Sequence, residues 1–489
     1  MKGLHFTLPP NAGIEPERFQ HGYVTGLDRS PMSLHVEMVN GIASVYRATS
    51  ESGSLHLPWE IDRFGEIVVQ STSLMEREEP YRLSLELARG QLNKMRNQHV
   101  DWAGHGLKVS DAVQDSMQRS SQSFRNAFQA KSEEEREAAA TDALSGAIWA
   151  AEGMTEGYAR RATRTRVRDR GPIKATLACM FDDGLFDVDP GPFRSAFNHV
   201  QIPLRWAECE PEHGQFDWST LDRQIGWCEE HGLEITLGPL IDFHESRLPG
   251  WLSNYEQNVE LMATLMLDLV ETCMARYKGR IACWETTART NIAGTLRLNE
   301  DQMLWITRRL SEVGKSIDPD AALTATICQP WGEYFVRQDQ RFSPGYFADS
   351  LYRLKLPLST LTFEIAMGYA PDGSFCRSLL DVSQLMDSLH EVCGRLRVRL
   401  VFPSQAIKDG PVTTSAGRWR GEFSEAIQAE WAEKVTLVGL AKPFVDGITW
   451  GMYHDAHAMD WPHGGLIDRE GQPKPALERL TTIRGSLLR

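Results

Sequence analysis

The chain of 489 residues has no Cys-x-x-Cys pair, and its eight cysteines stand singly between Cys179 and Cys393. Zinc-knuckle and paired-thiol redox chemistry are therefore excluded on spacing, and the thiols are expected to be reduced and buried. Long apolar runs are missing too. No stretch approaches the ~18 consecutive apolar residues of a membrane-spanning helix, and residues 1–10 lack the apolar core of an export signal. A cytoplasmic location and no membrane partner are the expectation. Basic residues are outnumbered, with 52 Lys and Arg against 66 Asp and Glu for a net charge of -14. This offers a phosphate backbone no general attraction and argues against nucleic acid. Glycine-rich phosphate loops, dinucleotide fingerprints and the Gly-x-Ser-x-Gly nucleophile elbow are absent, so no cofactor is expected.

What is present is an ordinary globular composition, 42% hydrophobic and 24% charged, long enough for two domains or one elaborated barrel. Residues 1–78 alternate short runs such as Ile42-Ala43-Ser44-Val45-Tyr46 and Glu66-Ile67-Val68-Val69-Gln70 with Gly, Ser, Asn and Pro clusters, the pattern of a small sheet. Residues 79–170 change to helical spacing, with helices expected over 81–99, 110–129 and 132–164. Leu83, Leu85, Leu87 and Leu92 need an apolar partner, so this helical arm should pack against the remainder. The arginine-rich segment 160–170, just before Gly171-Pro172, reads as a hinge. A solvated helix end or a clamp on an acidic neighbour is its plain role, and anion binding is the alternative.

Over 171–489, apolar runs at 175–180, 199–203, 234–239, 281–285, 323–327, 361–365, 398–402 and 447–450 alternate with helical spacing. Eight strands in this length is the count of a closed (β/α)8 barrel, and an open doubly wound sheet is the alternative. The expected architecture is an α/β TIM barrel carrying an N-terminal sheet and helical extension.

The segment Glu208-Cys209-Glu210-Pro211-Glu212-His213-Gly214-Gln215-Phe216-Asp217-Trp218 is followed by His231-Gly232-Leu233. Next comes Phe243-His244-Glu245-Ser246-Arg247-Leu248-Pro249-Gly250-Trp251. These resemble the "W..tEP..G.F.f...D......HG" and "WH..LPGW" signatures of family-10 glycoside hydrolases, the xylanase family. The resemblance resumes at residues 281–284, at Gly447-Ile448-Thr449-Trp450-Gly451, at Asp455 and Trp461, and at Pro473-Lys474-Pro475-Ala476. It covers about residues 174–487 and none of the first 170. It implies a barrel with its cleft at the C-terminal ends of the strands and an oligosaccharide or other glycan as partner.

Retaining glycosidases need two carboxyls about 5–5.5 Å apart, one nucleophilic and one protonated. Where the family has "WDVVNE", this chain reads Trp284-Glu285-Thr286-Thr287-Ala288-Arg289. Arg289 thus takes the acid/base position, and a guanidinium is a poor proton donor. Where the family has "TELD", the matching stretch is Arg399-Leu400-Val401-Phe402-Pro403-Ser404, with no nucleophile. Candidate replacement acids are Glu364, Asp242 and Glu333, each with an ion-pair role as its plain alternative. Glu285 is four residues deeper than Arg289 and reads as a partner in the barrel floor. Candidate ligand contacts are Arg205, Trp206, His244, Arg289, Trp450 and Trp461, since aromatic rings and a few polar groups are how a cleft holds a sugar. His454, His457 and His463 form no convincing ligand set, so no metal is expected. Three functions stay open: a divergent carbohydrate-active enzyme, an inactive glycan- or protein-binding barrel, and a lyase holding a uronate on Arg205 and Arg289. Oligomeric state is not legible.

Overall fold

Period-two alternation in the first eighty residues builds two four-stranded sheets, where one small sheet was expected. The strands are β1 (Leu4–Thr7), β2 (Tyr23–Thr25), β3 (Pro31–Met32), β4 (His35–Val39), β5 (Ile42–Tyr46), β6 (Gly53–Ile61), β7 (Gly65–Leu74) and β8 (Tyr81–Arg82). One sheet has the order β4-β5-β1-β8 and the other β3-β2-β6-β7. The computed structural model describes residues 3–9, 18, 19, 21–26, 30–32, 34–47, 50–292, 295–336, 340–457 and 460–488. Of the opening ten residues, Met1, Lys2 and Pro10 lie outside these.

Three helices follow: α1 (Leu83–Gly104), α2 (Asp111–Gln129) and α3 (Glu133–Arg170). Ser110 and Ser132 start the second and third by accepting hydrogen bonds from the Val113 and Glu135 amides, which satisfies amides that the helix leaves unpaired. α3 runs through the arginine-rich segment and stops at Gly171, whose φ of 73° suits a residue without Cβ. That segment is therefore helix, not hinge. Leu83, Leu85, Leu87 and Leu92 are all buried. The N-terminal part is fastened to the barrel by backbone as well as side chains. Val68 donates to the Cys376 carbonyl at 2.9 Å and Arg418 donates to the Glu66 carbonyl at 2.7 Å. Lys94 pairs with Asp381, and Arg420 pairs with Glu152 at 2.8 Å.

The second part is a (β/α)8 barrel. Its strands are β9 (Thr176–Met180), β10 (His199–Ile202), β11 (Glu234–Leu237), β12 (Ile241–Asp242), β13 (Cys283–Ala288), β14 (Ala322–Cys328), β15 (Thr360–Ala366), β16 (Leu396–Val401) and β17 (Val445–Trp450). They are parallel in the order β11-β10-β9-β17-β16-β15-β14-β13, and pairing of Thr236 with Cys283 closes the ring. The short β12 continues the path of β11 after a break and pairs with the end of β13. Helices such as Val259–Tyr277 and Glu425–Ala441 cover the outside.

The barrel interior is strongly polar for this fold, with buried Gln201, Thr236, Glu285, Thr326, Glu364 and Arg399. Buried polar groups of this kind are tolerable only when mutually bonded. His199 bonds Thr236 Oγ1 at 2.7 Å, Gln201 Nε2 donates to Glu285 at 2.5 Å, and the Thr324 and Thr362 hydroxyls meet at 2.9 Å. Burial pushes the His199 imidazole below its usual value of 6.5. The unfolded chain then takes up a proton below about 6.5 that the folded chain does not bind, so stability falls as pH drops through that region. Urea unfolding at pH 7 and pH 5 should show a smaller loss for His199→Gln than for wild type. Identical losses would remove His199 as a source of acid sensitivity.

Candidate functional site

At the end of β11 the chain must turn sharply before it can place Asp242. Gly238 makes this possible: its φ is 130°, and a Cβ there would lie 2.2 Å from the Glu285 carbonyl oxygen, so only glycine fits. The turn sets Asp242 opposite Ala288 of β13, next to Arg289. Arg289 itself has φ of 61°, a left-handed conformation that costs a non-glycine residue about 1–3 kcal/mol. Its Nη1 donates to both Asp242 carboxylate oxygens, at 2.8 and 2.6 Å. Its Nη2 lies 3.6 Å from Asp460, which also accepts from Arg247 at 2.5 Å. Burial alone would raise the Asp460 carboxyl, but the charges of Arg289 and Arg247 hold it below the usual range.

Beneath this layer, Arg399 of β16 reaches Glu285 of β13 at 2.5 Å and Glu364 of β15 at 3.3 Å. Glu285 also accepts from Gln201 and from the Thr326 hydroxyl, while the Cys328 thiol donates to Glu364 at 3.4 Å. Burial disfavours the Arg399 charge, yet Glu285 and Glu364 more than compensate and raise its pKa. A cavity of about 80 Å³ opens above, among Arg205, Asp242, Arg289, Glu364, Asp460 and Trp461. That volume is well below the roughly 300–1,000 Å³ of a pocket that engulfs a small ligand.

Of the residues singled out in the sequence, Asp242, Glu364, Arg205, Arg289 and Trp461 line this cavity. Arg205 lies 3.5 Å from Asp183 and 3.3 Å from Glu208. Trp461 packs on Tyr369, 5.1 Å between ring centres. The other four do not converge there. Glu333 sits after β14, where it pairs with buried Arg377 at 3.2 Å and accepts from the Phe375 amide. Arg377 in turn lies over the rings of Trp331 and of Tyr23 in the N-terminal sheet, so Glu333 serves the contact between the two parts of the chain. Trp206 is buried, with its indole N–H on Glu210 at 2.6 Å and its ring against Trp251. His244 is half-buried outside the cavity, bonded to Ser246 at 2.7 Å and 3.7 Å from Asp372.

Trp450, expected as a sugar platform, is 1% exposed. It donates to the Gly464 carbonyl at 2.9 Å and lies 6.2 Å from Trp431 of the outer helix layer. Its ring belongs to the core between strand and helix and offers no free face. The ion-pair alternatives resolve as follows in the structure: Arg289 has Asp242 and Asp460 as its partners, while Glu364 pairs with Arg399.

Sequence reasoning did not assign Arg247, Arg399 or Asp460 to the site. Arg247 stood inside the signature that runs from Phe243 to Trp251, and Asp460 beside Trp461, but nothing local joins residues 213 positions apart. His454 is turned to Asp182 at 2.7 Å, and Asp455 to Lys474 at 2.5 Å. Among the described residues no group of three or more His, Cys, Asp or Glu side chains is arranged to hold a metal ion, and no helix is long and apolar enough to cross a membrane.

The family described as Glycosyl hydrolase family 10 matches residues 193–288. Endo-1,4-beta-xylanase 1 of Gibberella zeae is 30% identical over 95 residues, which is 19% of this chain and 26% of that protein. Endo-1,4-beta-xylanase A of Fusarium oxysporum f. sp. lycopersici is 27% identical over 127 residues, 26% of this chain and 36% of that one. The matched segment thus spans only 26% and 36% of the length of these relatives. Among solved structures, xylanase 10B from Thermotoga maritima aligns at 14% identity and a TM-score of 0.48, over 63% of this chain and 94% of that one. Xylanase 10B from Thermotoga petrophila RKU-1 in complex with xylobiose gives 14% and 0.48, over 67% and 96%. The chain resembles family-10 glycoside hydrolases.

Proposed function

We propose that this protein binds a neutral oligosaccharide across the mouth of the C-terminal face of its barrel, without hydrolysing it by the two-carboxylate route. The carrying observation is that the carboxylates of the cavity floor are engaged by arginines: Asp242 by Arg289, Glu364 and Glu285 by Arg399, and Asp460 by Arg247 and Arg289. To donate a proton or attack an anomeric carbon, one of these acids must first leave a buried partner, which is costly. The small cavity supports the same reading, because a sugar ring is kept above the ion pairs instead of between two acids. Saccharide is the ligand class on the strength of the family-10 match over residues 193–288 and the xylanase relatives.

The lyase reading loses its basis, since Arg289 already has two carboxylate partners and a uronate would have to displace them. Three floor arginines, Arg247, Arg289 and Arg399, face four acids, Asp242, Glu285, Glu364 and Asp460, which favours an uncharged ligand. Calorimetric titration with xylo-oligosaccharides tests the proposal. Measurable affinity is expected in wild type, with a loss of roughly three- to tenfold in Trp461→Ala, the range a ring contact is worth. Absence of binding to any neutral oligosaccharide would overturn it, as would full affinity in Trp461→Ala.

A further inference from the structure

The opposite end of the molecule carries a groove that the cleft does not explain. The C-terminal half of α3 and the end of α1 border a groove of about 770 Å³, lined by Trp102, Leu107 and Tyr158 together with Arg160, Arg161 and Arg164. Trp102 and Tyr158 stack at 4.2 Å and make the wall rigid and apolar. Arg166 anchors this stretch of α3 to the barrel by donating to the Leu440 and Lys442 carbonyls. Those carbonyls lie where the helix Glu425–Ala441 ends and β17 is about to begin. The groove therefore sits toward the N-terminal face of the barrel, away from the cleft.

Its charge is unusual for this chain. Residues 160–170 contain six arginines and one aspartate, within a protein of net charge -14. Elsewhere exposed arginines readily find carboxylates, as Arg276 does with Asp222 and Arg280 with Glu229. Arg160, Arg161 and Arg164 have no carboxylate partner among the described residues. Two acids nearby have other neighbours, Asp169 pairing with Arg168 at 2.7 Å and Asp101 lying 3.8 Å from the His105 ring. Three guanidinium groups kept free beside an apolar wall present forks suited to carboxylate or sulfate groups.

We infer that this groove is a binding site for an acidic saccharide carrying two or more carboxylate or sulfate groups. Arg160 and Arg164 are one helical step of about 6 Å apart along α3, close to the length of one sugar ring, so successive acidic rings meet successive arginines. The wall of Trp102, Leu107 and Tyr158 covers the C–H edges of those rings. A volume of about 770 Å³ holds two or three rings and falls in the usual range for a small-ligand site. An extended nucleic acid would run from the groove onto the acidic remainder of the surface, which disfavours it.

The test uses the full chain and calorimetric titration at about 0.15 M salt, where weak long-range attraction is screened. The probes are oligogalacturonate, sulfated dextran oligosaccharide, unsulfated dextran of the same length, and a short duplex DNA. Binding of an acidic saccharide and none of neutral dextran is expected. Arg160→Gln/Arg161→Gln/Arg164→Gln should weaken it by tenfold or more, as the loss of three charge-assisted contacts requires. Arg308→Gln/Arg309→Gln/Arg353→Gln, with the same charge change on the barrel helices, should change it less than twofold. Because the substituted arginines are exposed, thermal unfolding of both variants should match wild type. Failure of both acidic probes to bind, equal weakening in the two variants, or tighter binding of the duplex would overturn the inference. Xylo-oligosaccharide affinity at the cleft is read separately and does not bear on this site.

Discussion

Incubated with unsubstituted xylan, the purified protein should release reducing sugar no faster than buffer does. The expectation rests on two positions of the family-10 resemblance. At the position where the resemblance implies the acid, Arg289 is clamped by Asp242 and Asp460, and a guanidinium keeps its protons at any working pH. In the stretch Arg399-Leu400-Val401-Phe402-Pro403-Ser404, where the resemblance implies the nucleophile, there is no carboxylate, and Phe402 is fully buried against Trp431 at 4.9 Å and close to Phe423 and Trp419. Each general acid or base contributes about 10²–10⁴-fold to rate, so the combined deficit is large enough to leave background. For the same reason Arg289→Glu alone should stay inactive: it restores one carboxyl without supplying a nucleophile in the 399–404 stretch. Timed reducing-sugar release against a family-10 xylanase at equal concentration checks this, and a rate within a hundredfold of that enzyme would mean that the acids of the floor have been put to work.

The largest stability effect should come from Arg399. Its side chain is 4% exposed, and those of Glu285 and Glu364 are 1% and 6% exposed, so the three groups neutralise one another out of reach of water. Arg399→Met keeps most of the volume but strands two carboxylates in the barrel interior. Breaking a buried pair in this way typically costs about 3–5 kcal/mol. Adding Glu285→Gln and Glu364→Gln removes the stranded charges and should recover a substantial part, though Thr326 and Gln201 then need new geometry. Urea unfolding of wild type, single and triple variants measures both steps. A single-variant loss under 1 kcal/mol, or no recovery in the triple, would contradict the account of the floor.

The barrel was legible because each strand carries its own short apolar run between helical segments. The runs expected at 361–365 and 323–327 are each found with only one residue added at either end. The N-terminal half was less so, since alternation identifies strands but not their partners. β1 lies parallel to β8, with Phe6 opposite Tyr81, and no local pattern reports a contact across 75 positions. The same limit governs the site. Asp242 and Arg289 were each picked out as strand-end residues, but the pair exists only because Gly238 turns the chain. Arg399 went unread because an arginine inside a barrel strand looks like surface until Glu285 and Glu364 are seen on either side. Trp450 illustrates the reverse error: adjacent Thr449 and Trp450 point to opposite faces of the strand, and the tryptophan lies on the side of Trp431.

The backbone stitching of β7 to the barrel has a consequence for how this protein can change over time. Gly65 and Gly417 let the two segments touch so closely that a Cβ at either position would fall 2.6 and 2.4 Å from a carbonyl oxygen across the seam. A fused module joined only by a linker can be traded for another, because its neighbour does not notice the exchange. Here the seam is written into both halves at once, in the loop around Cys376 and the segment around Arg418 as much as in β7. A change that reshapes the loop around Cys376 or the segment around Arg418 must therefore also fit a strand more than three hundred residues earlier in the chain.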